Sequence, residues 1–166
     1  MALSLVPQVV LRDIFKITPQ ALRSRGITLL LADLDNTLIP YGKREPTEQV
    51  RAWEAALKAG GVDLFLLSNS RKPTRASHFA QSLGIPFLGH AGKPKTGGFR
   101  AAMERMGRTP GQTAMVGDQM FTDILGARRA GVLAIAVRPI ACDNPFRALR
   151  YGIELPFRAI AKEREL

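Results

Sequence analysis

Four short polar sets interrupt the apolar runs of this chain, and their residue types suit phosphate chemistry. Asp33 and Asp35 stand two positions apart in Asp33-Leu34-Asp35-Asn36-Thr37-Leu38. In an extended segment both carboxylates then project to the same side. Burying two like charges together is costly unless a cation joins them, which implies a hard divalent metal. Ser68-Asn69-Ser70 offers hydroxyl and amide groups able to donate to phosphate oxygens. Lys93 supplies a cation, and Gly117-Asp118, with Asp123 five positions on, supplies two more carboxylates. Such a set suits Mg²⁺ plus a phosphoryl group, with the lysine offsetting the negative charge that develops in transfer.

The elements that must position these groups follow from period and punctuation. Residues 27–33 form a continuous apolar run introduced by Gly26, the pattern of a strand buried on both faces. Further strands are predicted over 62–67, 85–88, 113–116 and 132–137. Between them lie helical patterns: one opened by Glu45-Pro46-Thr47 with Val50, Trp53 and Leu57 on one face, then 73–83, 96–106 and 122–130. This alternation predicts an α/β fold with a five-stranded parallel sheet covered by helices on both faces. Every polar set then falls at the carboxyl end or exit of a strand, the usual ligand crevice of an open α/β sheet. Outside this unit, residues 1–25 read as a helical lead and residues 139–166 as a basic helical tail, all within a single domain 1–166.

Length and composition bound the rest. The chain has 166 residues, 46% of them hydrophobic and 23% charged, which excludes a disordered tail protein. The apolar runs are far shorter than the ~20 residues of a spanning helix. Residues 1–10 lack a basic start and are broken by Pro7, so no signal peptide is expected. A lone cysteine, Cys142, excludes an internal disulfide and a cysteine-ligated zinc site and suits a reducing, cytoplasmic setting. The net charge of +10 points to polyanionic partners: nucleic acid, an anionic membrane surface or phosphorylated compounds. Only 7% of residues are aromatic, and none lies in the basic strip Arg71, Lys72, Arg75, which disfavours a reader of nucleic acid.

In order, Asp33-Leu34-Asp35-Asn36-Thr37, Ser68-Asn69, Lys93-Pro94 and Gly117-Asp118 with Thr122-Asp123 resemble the four motifs of the haloacid dehalogenase (HAD) phosphatase superfamily. The resemblance covers about 27–137 and implies a Rossmann-like three-layer fold and a role for each residue. Asp33 would be the nucleophile, forming an aspartyl-phosphate, and Asp35 the general acid and base. Asp118, the Asp33 carboxylate and the Asp35 backbone carbonyl would hold Mg²⁺. Ser68 would bond the phosphoryl group, Lys93 would stabilise its charge, and Asn69 and Asp123 would support them.

Single crossover helices fill the gaps on either side of the second strand, so no cap domain is expected and the site should be open to large or surface-bound substrates. Together with Gly84-Ile85-Pro86-Phe87, Gly117-Asp118-Gln119, 122–126 and Arg138-Pro139-Ile140, the motifs are most similar to the class IIIA, YqeG-type subfamily and its relatives acting on phosphatidylglycerophosphate. That resemblance implies a lipid phosphomonoester as substrate, at the inner face of the cytoplasmic membrane. The rivals are a nucleotide, nucleic-acid-end or phosphoprotein phosphatase and, from another class, a non-catalytic scaffold binding a membrane or protein. Arg71 and Lys72, where relatives carry less charge, read either as contacts for an anionic headgroup or as a solvated helix start. The stripe Leu3, Leu5, Val6, Val9, Val10, Ile14 and Phe15, with Arg12 and Lys16, and the tail with Phe146, Leu149, Tyr151, Phe157, Arg147, Arg150 and Arg158 read either as membrane-facing or as packed on their own domain. Trp53 reads as core, His78 and His90 as surface or structural residues.

Overall fold

The computed structural model describes residues 4–161 and 164–166; Leu3 lies outside them. The elements run β1 (Val9–Leu11), α1 (Pro19–Ser24), β2 (Leu29–Ala32), α2 (Glu48–Ala59), β3 (Asp63–Leu67) and α3 (Pro73–Leu83). They continue through β4 (Phe87–Leu88), α4 (Gly97–Met106), β5 (Thr113–Gly117), α5 (Leu125–Ala130), β6 (Leu133–Val137) and α6 (Pro145–Ala159). The strands form one parallel sheet in the order β1-β6-β5-β2-β3-β4.

The strand pleat divides the core in two. Leu30, Ala32, Leu64 and Leu66 pack with Leu22, Val50, Trp53, Leu57 and Phe79, which come from α1, α2 and α3. Their strand neighbours Leu29, Leu31, Phe65 and Leu67 pack with Phe99, Met103 and Ala127 from α4 and α5 on the opposite side. A period of two with both phases apolar explains why these strands read as unbroken hydrophobic runs. Local capping sets the helix starts. The Thr47 hydroxyl accepts from Val50 N at 3.2 Å ahead of α2, and Asn144 Oδ1 accepts from Phe146 N at 2.9 Å ahead of α6.

The sheet has one strand more than the five expected. The lead, read as helical around residues 6–15, contributes β1, paired to β6 with Val9 opposite Ile135. A single helical turn follows at Ile14–Lys16, capped by Asp13. Val9, Leu11 and Ile14 are buried, so this part of the stripe packs on its own domain. Trp53 lies against it, donating from Nε1 to Ile17 O at 2.9 Å and meeting Phe15 edge to face. One crossover helix, α2, joins β2 to β3, and another, α3, joins β3 to β4, with no cap inserted. No helix among the described residues is long and apolar enough to cross a membrane.

From β2 the chain moves outward through β3 and β4, then returns to β5 on the other side of β2. The carboxyl ends of β2 and β5 therefore flank the point where the winding reverses, where such sheets bind ligands. Because β1 belongs to the core, Leu11→Ala will cost about 2–5 kcal/mol in urea unfolding. An unchanged midpoint would show that the lead is not part of the cooperative fold.

Candidate active site

Asp33 directly follows β2, and its N–H is still in the ladder, donating to Val116 O on β5 at 3.1 Å. The chain then turns sharply. Asn36 adopts a left-handed conformation (φ 59°), and its N–H donates to Ile39 O at 2.8 Å. Its side chain reaches 105 residues along the chain, with Nδ2 donating to Ala141 O at 2.7 Å and Oδ1 accepting from Ala141 N at 3.3 Å. The first motif is thereby tied to the segment that launches α6.

Lys93 enters from the loop after β4, and its ammonium group is fully used. Nζ donates to Asp33 Oδ1, Asp123 Oδ1 and Leu67 O, each at 2.7 Å. Asn69 holds the lysine backbone reciprocally, donating from Nδ2 to Lys93 O and accepting from Lys93 N, both at 2.9 Å. Asp123 sits on a π-helical turn, Met120–Ile124, between β5 and α5, and its second oxygen accepts from Gln119 N at 3.2 Å. Gly117 makes room for this turn: a Cβ there would lie 2.2 Å from Asp123 Oδ2.

The carboxylates of Asp33, Asp118 and Asp123 have ligand atoms within 4.8 Å of one another, and all three residues are buried. Both oxygens of Asp123 are engaged by Lys93 and Gln119. Asp118 Oδ1 accepts from the Thr37 hydroxyl at 3.3 Å, whereas its buried Oδ2 has no hydrogen-bond partner. Arg150 stands 3.9 Å from that oxygen. Burial raises the Asp33 carboxyl to about 7, with Asp123 and Asp35 adding to the rise and Lys93 opposing it. Burial and the carboxylates of Asp123 and Asp33 raise Asp118 to about 8, against Arg150. For Lys93, burial favours the neutral amine, but Asp123 and Asp33 outweigh it and hold the ammonium charged. An all-oxygen donor set with excess negative charge and an orphaned carboxylate oxygen fits a hard divalent cation.

Above this cluster opens a cleft of about 160 Å³ lined by Asp33, Asp35, Tyr41, Asn69, Ser70, Lys93, Gln119 and Thr122. Ser68 is buried and not part of the lining; its Oγ accepts from Ser70 N at 3.1 Å. Arg71 and Lys72 are exposed and also lie outside the lining. The carboxylate of Asp35 bonds Arg75, which also donates to Lys43 O at 2.7 Å and Pro40 O at 3.3 Å. Arg75 therefore fixes Asp35 together with the loop that edges the cleft. From the basic strip, the structure thus takes the third residue into the site by burying it.

Residues of α6 complete the surroundings. Arg147 stacks over the Tyr41 ring at 3.5 Å. Arg158 donates to Val137 O at 2.7 Å and to Asp118 O, and Glu154 accepts from Met120 N at 3.1 Å. The sequence marked Arg147 and Arg158 only as part of the basic tail and did not mark Tyr41 or Glu154. The signal within the helix was the recurrence of charge at 147, 150, 154 and 158, the spacing of one helix face.

A buried lysine bridging two aspartates, beside a third carboxylate with an unpartnered oxygen at a switch point, is an arrangement suited to phosphate chemistry and able to take a divalent cation. The comparisons with known proteins agree. A family model described as a haloacid dehalogenase-like hydrolase matches residues 4–131, and the chain belongs to that family as a phosphoric monoester hydrolase. It is 33% identical over 141 residues to the probable phosphatase YqeG of Bacillus subtilis, covering 85% of this chain and 81% of that one. It is 32% identical over 150 residues to the chloroplastic phosphatidylglycerophosphate phosphatase 1 of Chlamydomonas reinhardtii, covering 85% of this chain but 56% of that protein. Among solved structures, the 3-deoxy-D-manno-octulosonate 8-phosphate phosphatase of Moraxella catarrhalis shares the fold, with a TM-score of 0.54, 17% identity, and coverage of 85% of this chain and 91% of that one.

The raised carboxyls set a pH dependence. In the metal-free protein, folded Asp33 and Asp118 retain protons that the unfolded chain has lost above about pH 4. Their contribution to stability is therefore present at low pH and fades as pH rises through about 7 and about 8. A divalent cation favours the ionised carboxylates, so the gain in Tm from saturating Mg²⁺ will be larger near pH 8 than near pH 5. It will be largely lost in Asp118→Asn. Equal shifts at both pH values would refute the assignment.

Proposed function

We propose that this phosphatase hydrolyses phosphatidylglycerophosphate through an aspartyl-phosphate on Asp33, with Mg²⁺ as its metal. The observation that carries the chemistry is the placement of Asp33, in contact with Lys93 and at the floor of an open cleft. The lipid substrate is supported by the similarity to phosphatidylglycerophosphate phosphatases of Chlamydomonas reinhardtii and Arabidopsis thaliana and by the missing cap, which leaves room for a headgroup presented at a surface.

Asp33 and Asp118 would hold Mg²⁺, with the Asp35 backbone carbonyl, and the metal would neutralise phosphoryl oxygens and favour the ionised form of both carboxylates. A carboxylate oxygen of Asp33 attacks phosphorus, and the bond to the leaving alkoxide breaks. Asp35, facing the cleft, gives that alkoxide its proton. Its carboxylate then takes a proton from water, whose oxygen attacks the phosphorus and frees inorganic phosphate and Asp33. Lys93 holds Asp33 in place and offsets the charge on the transferred group. Asn69 and Asp123 hold Lys93 from its backbone and its ammonium end. Ser70 lines the cleft toward the phosphoryl group, and the buried Ser68 hydroxyl, which accepts from Ser70 N, acts by holding that segment in place; Arg71 and Lys72, just beyond, attract the anionic headgroup.

Brief incubation with substrate labelled in the scissile phosphate, followed by acid quench, will leave hydroxylamine-labile label on the wild type and none on Asp33→Asn. Label retained by Asp33→Asn would refute the nucleophile. Asp35→Asn will lower turnover by about 10²–10⁴-fold, and an unchanged rate would remove it as acid and base. With phosphatidylglycerophosphate in mixed micelles beside soluble phosphate esters, the lipid will be preferred, and a wide preference for a soluble ester would overturn that substrate.

A further inference from the structure

The side of α6 turned away from the site is apolar. Phe146, Leu149, Ile153 and Ile160 recur at spacings of three, four and seven, which places them on one helix face. They are 83%, 64%, 54% and 63% exposed. The other large apolar side chains exposed among the described residues lie in or beside the same helix: Leu155, Ile140 on its approach, and Phe121, which meets Phe157 of α6 edge to face. A soluble surface scatters such residues; gathering them on one element marks an interaction face.

Two observations say what covers it. First, the opposite face of the same helix is built into the site, through Arg147 on Tyr41, Arg150 beside Asp118, and Arg158 and Glu154 on the backbone after β5. Whatever receives the apolar face therefore lies beside the cleft mouth. Second, the sheet edge around that mouth is basic. Exposed Lys43 and Arg44 follow β2, exposed Arg71 and Lys72 follow β3, and exposed Arg138 follows β6. The exposed acids nearby are engaged: Asp143 bonds Arg147 at 2.9 Å, and Glu45 pairs with His78. A 15-residue helix, about 22 Å long, with one apolar face and a rim of cations matches an anionic bilayer surface in both hydrophobicity and charge.

We infer that α6 is an interfacial helix that lays Phe146, Leu149, Ile153 and Ile160 into the headgroup boundary of an anionic bilayer, turning the catalytic cleft toward the lipid headgroups. This rests on the lipid-substrate reading, yet it is tested without that substrate. Full-length protein is sedimented with vesicles of phosphatidylcholine containing about 30% phosphatidylglycerol, and hydrolysis of a soluble phosphate ester is followed in parallel. The wild type will co-sediment. Phe146→Gln/Leu149→Gln/Ile153→Gln, which alters exposed positions only, will partition about tenfold or more weakly with its soluble-ester activity unchanged. Arg44→Glu/Arg138→Glu will weaken binding in low salt, and high salt will weaken the wild type. Failure of the wild type to bind, or equal binding by the triple variant, overturns the inference. So does a wild-type dimer that the triple variant dissolves while vesicle binding persists, because the face would then belong to a second copy. Loss of activity on lipid micelles with vesicle binding intact would count against the substrate instead.

Discussion

The ammonium group of Lys93 is the contact on which the site depends. Three carboxylates converge where the sheet leaves little water, and their mutual repulsion must be offset before any substrate arrives. Lys93 does this with each of its donors in use, two on carboxylates and one on the Leu67 carbonyl. Replacing such a group by a neutral one leaves buried charge uncompensated, which costs far more than the loss of a surface ion pair. Its compensation is incomplete: Lys93 bonds only two of the three carboxylates, Arg150 stands 3.9 Å from the third, and the carboxyls of Asp33 and Asp118 remain raised. The site is held together by the lysine and kept hungry for a second cation by what the lysine leaves over.

That arrangement needs loops fixed as firmly as strands. Asn69 holds Lys93 by its backbone, the π-turn delivers Asp123 from below, and the glycine at 117 lets the two approach. Around them, Asn36 couples the first motif to the segment before α6, and Arg158 of α6 returns to the carbonyl of Asp118. The two helices nearest the cleft thus act through arginines on opposite sides of the site. Arg75 of α3 holds Asp35, and α6 holds the strand end that carries Asp118.

The polar sets were legible because each follows an apolar run of strand length, so strand ends could be located from hydrophobicity alone. The helix carrying Val50, Trp53 and Leu57 was legible for the same kind of reason, with a Thr47 cap and a one-sided period. What escaped were contacts between residues far apart in the chain. Nothing local distinguishes Arg75 from its solvated neighbours Arg71 and Lys72; only folding turns it inward. The Asn36–Ala141 pair, separated by 105 positions, has no sequence pattern. The lead misled for another reason. Its apolar residues at 6, 9, 10 and 14 fit a helical period, but a three-residue edge strand is too short to show alternation, and pairing with β6 prevailed.

The absence of a cap places a demand on the rest of the fold. Enzymes that act on small phosphate esters usually close over them, because excluding water strengthens every charge–charge interaction in the site. Here the ionic cluster achieves low hydration by depth instead: Lys93 and Asp123 are each 1% exposed in their side chains, while Asp35, at the rim, is 20% exposed. The ionic cluster is dry and Asp35 is wet, a division that suits the proposed role of Asp35 as an acid and base exchanging protons with water. What such a site cannot do alone is orient a large leaving group, and the element nearest its rim is α6, whose inner face touches the catalytic strand ends and whose outer face is apolar. In a capless fold, that helix joins the cleft-side segment after β3 as a place where recognition beyond the phosphoryl group can be built.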